Sequence, residues 1–249
     1  MNTTSKKIDL LLLSGARPQL LKETLDSFSD RVFPNFHIDA VYANIDLFQG
    51  GEREADQVSA LILSRFPAAV IRRPKQPSFT DAVKWLWGSV KSPYCLHLED
   101  DWVAEKPITE EAIFKHFEGN VAQVSLLTSE KQWRFQYPFH CKWTRNKIFG
   151  VGFGKRLLRN EPVFTTSPSF TTREFANTSA LLMRNDLDPE KQMYDGNNVD
   201  LRAFNINYRN RLISDESGFL IRDIGRAHRA NLGLEKFIEN GQSVWKTSL

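Results

Sequence analysis

The first half of the chain alternates between short apolar runs and longer segments in which apolar residues recur at helical spacing. The predicted strands cover residues 8–13, 37–46, 68–74 and 94–98, and the segments between them cover residues 18–32, 50–66 and 78–91. The first of these runs is short and continuous, which is typical of a strand buried on both faces. Pro18 suits the first turn of a helix. This β-α-β-α-β-α-β order predicts a doubly wound, mostly parallel sheet.

The second half of the chain is less regular. We predict a helix over 108–120, a strand over 121–128, a strand over 176–184, a helix over 199–213 and a last strand followed by a polar turn within 218–229. The stretch 130–170 is aromatic, basic and interrupted by Gly and Pro, and we interpret it as a substrate-binding insertion. Because no linker divides the chain, we predict one domain over 1–249, with a nucleotide-binding half (1–105) and an acceptor-binding half (106–249).

Three adjacent carboxylates close the fourth predicted strand. Glu99, Asp100 and Asp101 follow the apolar run directly and precede Trp102. In doubly wound sheets, ligands bind beyond the carboxyl ends of the strands, where these acids stand. Mg²⁺ and Mn²⁺ prefer oxygen ligands and often bind one or two carboxylates together with substrate phosphates. The sequence therefore predicts a divalent-cation site here, as opposed to a solvated acidic turn.

Composition narrows the class of protein. Hydrophobic residues make up 41% of the chain and charged residues 25%, as in ordinary globular proteins. The net charge of +3 does not indicate a nucleic-acid-binding surface. Cys95 and Cys141 form no CxxC pair, which argues against a zinc or redox motif.

The N-terminus shares one feature with a secretory targeting segment. Two lysines precede the first apolar run, but this run includes Asp9 and is shorter than the roughly seven to fifteen residues of a secretory signal. No apolar stretch approaches the roughly 18–20 residues of a membrane span. We therefore expect a cytoplasmic protein.

Three stretches resemble GT-A-type glycosyltransferases. Residues 8–28 (IDLLLLSGARPQLLKETLDSF) look like the first strand and Arg-Pro-x-x-Leu turn of that family, and residues 96–102 (LHLEDDW) look like its acidic DxD metal motif in a Glu-Asp-Asp form. Residues 219–228 (FLIRDIGRAH) resemble its late strand and loop. The resemblance covers 8–105 well and 176–230 loosely. It implies a three-layer α/β/α fold of Rossmann type, with a mostly parallel sheet that becomes mixed towards the C-terminal end.

The resemblance also implies a hexosyltransferase-type activity. The enzyme would transfer a sugar from a nucleotide-diphosphate donor to an acceptor hydroxyl, with a manganese or magnesium ion (Mn²⁺ or Mg²⁺) as cofactor. The acceptor would be a carbohydrate or a glycolipid, which leaves a peripheral membrane contact open. No nucleic-acid partner is expected.

Site residues follow from the resemblance position by position. Ser14, Ala16 and Arg17 would line the nucleotide pocket, Asp46 would approach the nucleobase or ribose, and Asp81 would contact the nucleotide or donor sugar, unless it is only a first-turn helix acid. Asp101 would be the main metal ligand, Asp100 and Glu99 would bind ribose, metal or donor sugar, and His228 would complete the metal shell. Because strict Asp-x-Asp spacing is absent, the resemblance leaves open which acid binds the metal.

An inverting transferase needs a base that deprotonates the acceptor hydroxyl. In the resembling families an acid about a hundred residues after the metal motif has this role. Asp200 is the first candidate here, and Glu174 and Asp195 are its rivals. A retaining enzyme does not need this base in the same way, so the stereochemistry stays open.

Two further features of the insertion have more than one interpretation. Lys155 and Arg156 lie in a Gly-rich stretch that could reach the donor phosphates, although the stretch does not match a P-loop. Four aromatic side chains could stack on an acceptor sugar or belong to the core: Trp133, Tyr137, Phe139 and Trp143.

Other functions remain open from the sequence. A nucleotidyltransferase on a related sheet would need a Gly-rich basic loop after the first strand, and SGARP at residues 14–18 has one Gly and one Arg. A non-catalytic sugar- or nucleotide-binding relative would not need all three acids. A metal-dependent nuclease would need a stronger basic surface than this chain has.

Overall fold

A computed structural model describes residues 6–126, 137–148, 151–214, 218–231, 233–239 and 242–247. The strands are β1 (Lys7–Ser14), β2 (His37–Ile45), β3 (Val70–Arg72), β4 (Tyr94–Glu99), β5 (Trp102–Ala104), β6 (Val121–Leu126), β7 (Cys141–Ile148), β8 (Val151–Pro162), β9 (Ser169–Thr172), β10 (Arg209–Ile213), β11 (Ile221–Asp223), β12 (Leu234–Glu239) and β13 (Gln242–Thr247). The α-helices are α1 (Pro18–Arg31), α2 (Glu52–Arg65), α3 (Phe79–Gly88), α4 (Glu110–Phe114), α5 (Arg173–Leu182), α6 (Val199–Asn205) and α7 (Gly225–Asn231).

Seven strands form the central sheet, in the order β10-β6-β9-β4-β1-β2-β3. All neighbouring pairs are parallel except those of β9, which runs antiparallel to both β4 and β6. The sequence prediction of a mostly parallel sheet with a mixed C-terminal part is confirmed. Three pairs lie outside this sheet among the described residues: β5 with β11, β7 with β8, and β12 with β13.

Two hydrophobic cores cover the two faces of the sheet. Leu10 and Leu12 of β1 belong to the core that also contains buried side chains of α1 and α2. Leu11 points to the other face, where it packs with side chains of α3 and α5, including Trp87 and Phe175. Successive side chains of a strand alternate between faces, so a continuous apolar strand supplies both cores. The result is a three-layer α/β/α arrangement.

The strand register brings two chain segments together at one edge of the sheet. Leu13 of β1 lies opposite Glu99 of β4, so both parallel strands end at the same edge. The backbone N–H of Asp46 donates to Ser14 O at 2.8 Å, which joins the end of β2 to this edge. The first loop and the acidic run therefore meet where ligands of such sheets bind.

Several sequence predictions in the second half are wrong. The polar turn predicted after the last strand is helix α7, and the helix predicted over 108–120 is reduced to α4. The segment predicted as a strand over 176–184 belongs to helix α5. Its start is capped by Thr172, whose Oγ1 accepts from Phe175 N at 3.4 Å, and Phe175, Ala176, Ser179 and Ala180 are buried along one helical face. The helix predicted over 199–213 ends at Asn205, because the chain then enters β10 and pairs with β6.

The predicted insertion has more regular structure than the sequence indicated. Residues 130–136 of this stretch lie outside the described residues. Further along, β7 and β8 pair as a long antiparallel hairpin, and β9 enters the central sheet. In the part of the chain that the structure describes, no helix combines the length and apolar character needed to cross a bilayer.

Candidate functional site

The loop between β1 and α1 encloses the carboxylate of Asp100. Ser14 Oγ donates to Asp100 Oδ2 at 2.6 Å, and the backbone N–H of Gly15 donates to the same oxygen at 2.9 Å. The Arg17 guanidinium donates to both carboxylate oxygens of Asp100. Asp100 is 1% exposed, so this buried charge is matched by an arginine and two further donors.

Ala16 allows the tight turn of this loop. Its φ of 56° lies in the left-handed region, which residues other than glycine rarely occupy. Such a conformation persists only where the surrounding structure enforces it. Here the turn lets Gly15 and Arg17, on either side of Ala16, both face Asp100.

Asp101 lies between two arginines from distant parts of the chain. Its Oδ2 accepts from Arg17 Nη2 at 3.1 Å and from Arg229 Nη1 at 2.9 Å. Arg229 also lies 3.6 Å from Asp223 Oδ2. Burial raises the pKa of Asp101, and the positive charge of Arg17 opposes that rise.

The C-terminal segment covers Asp101 closely. β11 pairs with β5, and the backbone N–H of Ile224 donates to Asp101 O at 2.9 Å. At Gly225, the first residue of α7, a Cβ atom would lie 2.0 Å from Asp101 Oδ2. Only glycine therefore fits at this position without displacing the carboxylate.

Glu99 is an acid whose protonation is strongly perturbed. Its Oε2 accepts from Trp102 Nε1 at 3.0 Å. Burial, followed by the negative charges of Asp101 and Glu190, raises the pKa of Glu99 to about 8. Since Arg17 and Arg229 contact the aspartates, Glu99 lies in a region with excess negative charge.

Glu190 is a site residue that the sequence interpretation missed. Its Oε1 accepts from Thr165 Oγ1 at 2.6 Å and from Thr166 N at 2.8 Å. The Asp188 carboxylate in turn accepts from the backbone N–H of Glu190 at 3.0 Å. Thr165 and Thr166 precede β9, which pairs with β4 at His97, so Glu190 lies near the carboxyl end of β4. No local pattern marks Glu190, because its place depends on the antiparallel insertion of β9.

The two acids expected to contact the nucleotide make intramolecular contacts. Asp46 is buried and accepts from Asn44 Nδ2 at 2.7 Å and from Ser78 N at 3.1 Å, and burial raises its pKa. Asp81 lies in the first turn of α3 and forms an ion pair with Arg72. Both residues follow the carboxyl ends of β2 and β3, and their intramolecular contacts give each of them a structural role. A contact of Asp46 or Asp81 with a nucleotide stays a prediction.

The structure does not bring Glu174 to the acidic run. Arg173, its neighbour, donates from its backbone N–H to Pro93 O at 3.0 Å, and Thr172 lies opposite Tyr94 at the start of β4. Glu99 is at the other end of that strand, about 16 Å away at ~3.3 Å per residue. Glu174 is exposed and accepts from Tyr208 Oη at 3.2 Å.

The remaining candidate bases are also surface acids. Asp200 is exposed in the first turn of α6. Asp195 is exposed and its Oδ1 lies 3.5 Å from Lys142 Nζ. Glu190, by contrast, is partly buried and lies close enough for its charge to act on Glu99.

His228 lies one residue before the arginine that contacts Asp101. It is partly buried in α7, where its backbone N–H donates to Ile224 O at 3.2 Å. Within the described ranges, no three His, Cys, Asp or Glu side chains form a group that could hold a metal ion. The expected triad of Asp101, Asp100 and His228 is thus not assembled here, since Asp100 accepts from the β1–α1 loop at both oxygens.

A pair of carboxylates nevertheless has the chemistry of a cation site. Glu99 and Asp101 are two residues apart and act electrostatically on each other. Their hydrogen bonds to described residues fall on Glu99 Oε2 and Asp101 Oδ2, which leaves Glu99 Oε1 and Asp101 Oδ1 as candidate ligand oxygens. Two carboxylates completed by substrate phosphates and water suit Mg²⁺ or Mn²⁺.

The remaining candidates belong to the hairpin region. Tyr137 and Phe139 contact each other, with ring centroids 5.7 Å apart, and Trp143 is 44% exposed on β7. Lys155 and Arg156 are exposed on β8. Trp133 lies outside the described residues.

Comparison with known proteins identifies the fold. No protein-family model and no curated protein matches the sequence. Among solved structures, the chain is similar to the mannosyltransferase PcManGT from Pyrobaculum calidifontis in complex with GDP-Man and Mn²⁺, with a TM-score of 0.59 and 11% identity over 89% of this chain and 58% of that one. It is also similar to GalNAc-T7 with UDP, GalNAc and Mn²⁺, with a TM-score of 0.57 and 11% identity over 88% of this chain and 43% of that one.

A third structure is S. aureus TarS 1-349 in complex with UDP, with a TM-score of 0.55 and 11% identity over 87% of this chain and 60% of that one. The chain has a GT-A-type fold. It spans 43–60% of the length of these three GT-A-type structures. The expected fold resemblance is confirmed.

Proposed function

We propose that this protein is a divalent-cation-dependent glycosyltransferase of hexosyltransferase type. It would transfer a sugar from a nucleotide-diphosphate donor to the hydroxyl of a carbohydrate or glycolipid acceptor. The observation that carries the proposal is the meeting of the Ser14–Arg17 loop with Glu99, Asp100 and Asp101 at the carboxyl edge of the sheet. The GDP-Man bound to PcManGT and the UDP and GalNAc bound to GalNAc-T7, which share the fold, support it.

The donor diphosphate would lie near two arginines. Arg17 and Arg229 bring guanidinium groups to the edge beside Asp101. Guanidinium groups match phosphate oxygens in geometry and charge. Asp100 would then act indirectly, since its carboxylate fixes Ser14, Gly15 and Arg17 in the loop that approaches the nucleotide.

The cation would be held by Asp101 and Glu99. Their remaining oxygens are hard ligands. Burial raises the pKa of Glu99, the negative charge of Asp101 raises it further, and a divalent ion would relieve this repulsion. When bound, such an ion would supply positive charge that stabilises the departing diphosphate. Mn²⁺ in the complexes of PcManGT and GalNAc-T7 supports this assignment.

Glu190 is our candidate for the group that takes the acceptor proton. Thr165 Oγ1 and Thr166 N orient its carboxylate, and its charge acts on Glu99. A general base must lie within reach of the reacting hydroxyl, and Glu190 meets this requirement better than the exposed Asp200 or the distant Glu174. A retaining mechanism would leave Glu190 as an acceptor-orienting residue.

Donor binding tests the first part of the proposal. UDP and GDP should raise the melting temperature of the parent only when Mn²⁺ or Mg²⁺ is present, because a ligand that binds the folded state stabilises it. Asp101→Asn should abolish this shift, whereas Asp200→Asn, the same chemical change at an exposed position, should keep it. The proposal fails if no nucleotide diphosphate shifts the parent, or if both variants behave alike.

Transfer tests the second part. With a donor that binds, Glu190→Gln should lower kcat by about 10²–10⁴-fold and leave donor binding unchanged, as expected for a lost general base. Glu174→Gln is the matched control and should retain activity. A larger loss in Glu174→Gln or Asp200→Asn than in Glu190→Gln would overturn the assignment of Glu190.

A further inference from the structure

The β7–β8 hairpin presents cations and apolar side chains on one face. Cross-strand partners in an antiparallel pair lie on the same face. Trp143 lies opposite Leu157, and two positions along, Arg145 lies opposite Lys155. These four side chains form what we call the Trp143 face.

The opposite face of the hairpin is turned towards the body of the protein. Lys142, whose cross-strand partner is Leu158, lies on that face. Its Nζ is 3.5 Å from Asp195 Oδ1 and 5.9 Å from the centre of the Tyr194 ring. The Trp143 face therefore points away from this contact, and Trp143 is 44% exposed while Arg145 and Lys155 are both exposed.

The Trp143 face has two features that an anionic partner would stabilise. Like charges directly opposite each other, as at Arg145 and Lys155, destabilise a strand pair unless an anion lies between or beside them. The hairpin is also a two-stranded sheet of its own, and such sheets need packing on a face to be stable in water. The contact with the body of the protein described above lies on the Lys142 side of the hairpin. A surface that carries negative charge and accepts apolar groups would offset the repulsion between Arg145 and Lys155 and would also cover the exposed face of the hairpin.

We propose that the Trp143 face docks onto a bilayer that contains anionic lipids. Tryptophan is enriched at the membrane–water interface, where its ring lies at headgroup depth, and Leu157 beside it adds apolar area for the same boundary. Arg145 and Lys155 would lie against the lipid phosphates, whose negative potential attracts basic residues.

A nucleic acid fits the observations less well. Duplex or single-stranded binding needs a groove or stripe of cations that follows many phosphates. The chain carries a net charge of only +3, and the Trp143 face has only two cations, which lie next to the aliphatic side chain of Leu157.

The docking would also serve the proposed function, on which this last step rests. The part of the site near Tyr194 and Glu190 lies on the hairpin side, so docking would bring it towards a lipid-linked acceptor.

Vesicle binding tests the proposal without donor, cation or acceptor, so it is independent of the proposed activity. The parent should co-sediment with vesicles of phosphatidylcholine and phosphatidylglycerol and not with phosphatidylcholine alone. Arg145→Ser combined with Lys155→Ser should weaken this binding by about 30-fold, from the attraction of two basic residues to an anionic surface. Arg53→Ser combined with Lys75→Ser removes the same charge from exposed positions elsewhere and should bind like the parent.

The position of Trp143 gives a second readout. Vesicles with brominated lipid chains should quench part of the tryptophan emission of the parent, and the quenching should be lost in Trp143→Phe. The proposal is overturned if the two double variants bind equally, or if quenching persists without Trp143. It is also overturned if the parent ignores vesicles but binds immobilised polyphosphate through Arg145 and Lys155, which would assign the face to a soluble phosphate polymer.

Discussion

Replacing Arg17 by Met should destabilise the whole fold as well as the site. The side chain of Arg17 is 13% exposed and that of Asp100 is 1% exposed, so the substitution removes the positive partner of a buried carboxylate. Breaking a buried ion pair in this way costs about 3–5 kcal/mol. Asp100 would keep its bonds from Ser14 Oγ and Gly15 N, and Asp101 would keep Arg229, so we expect a value of about 3 kcal/mol, at the lower end of that range.

The melting temperature measures this cost. For a chain of this size, 1 kcal/mol corresponds to about 2–4 °C, so Arg17→Met should melt about 6–12 °C below the parent. Arg73→Met is the matched control, because Arg73 pairs with exposed Glu52 and Asp56, and it should change the melting temperature by no more than about 3 °C. Calorimetry at one pH and salt concentration measures both melting temperatures. Equal shifts for the two variants would refute the assignment of Asp100 as a buried charge that depends on Arg17.

Three further substitutions test neighbouring contacts. Gly225→Ala should weaken cation-dependent nucleotide binding at least 10-fold in calorimetric titrations, because the added Cβ would lie 2.0 Å from Asp101 Oδ2 and displace this carboxylate. Unchanged affinity would show that Gly225 and Asp101 are farther apart in solution. Glu99→Gln should flatten the dependence of unfolding free energy on pH. The pKa of Glu99 is about 8 in the folded parent, against 4.5 for an ordinary glutamate, so the free energy of unfolding of the parent falls as pH rises between these values. Denaturant titrations at several pH values across this range measure that fall. If the parent and Glu99→Gln lose stability equally with pH, Glu99 does not titrate in this way. Thr165→Val should lower kcat and leave donor affinity unchanged, because Thr165 Oγ1 orients Glu190 at 2.6 Å; retained kcat would separate Thr165 from the transfer step.

The sequence predicted the parts of the site that directly follow two parallel strands, namely the loop after β1 and the acids at the end of β4. The apolar runs predicted β1 and β4 as two central strands. Because neighbouring parallel strands end at the same edge of a sheet, the loop after Leu13 and the acids from Glu99 onwards had to meet. Pro18 and the helical spacing after it fixed the start of α1 in the same way. These inferences use short apolar runs and a helical spacing of 3.6 residues, which are local properties of a chain.

Tertiary structure decided the residues that reach the site from far along the chain. Arg229 contacts Asp101 because β11 pairs with β5, and Glu190 approaches Glu99 because β9 enters the sheet antiparallel between β4 and β6. The same insertion separates Glu174, a rival candidate for the base, from the acids. Strand pairing over long sequence separations depends on the burial of whole surfaces, and no short window of residues encodes it. The sequence therefore determined the acidic edge, whereas its partners depended on how the second half of the chain packs.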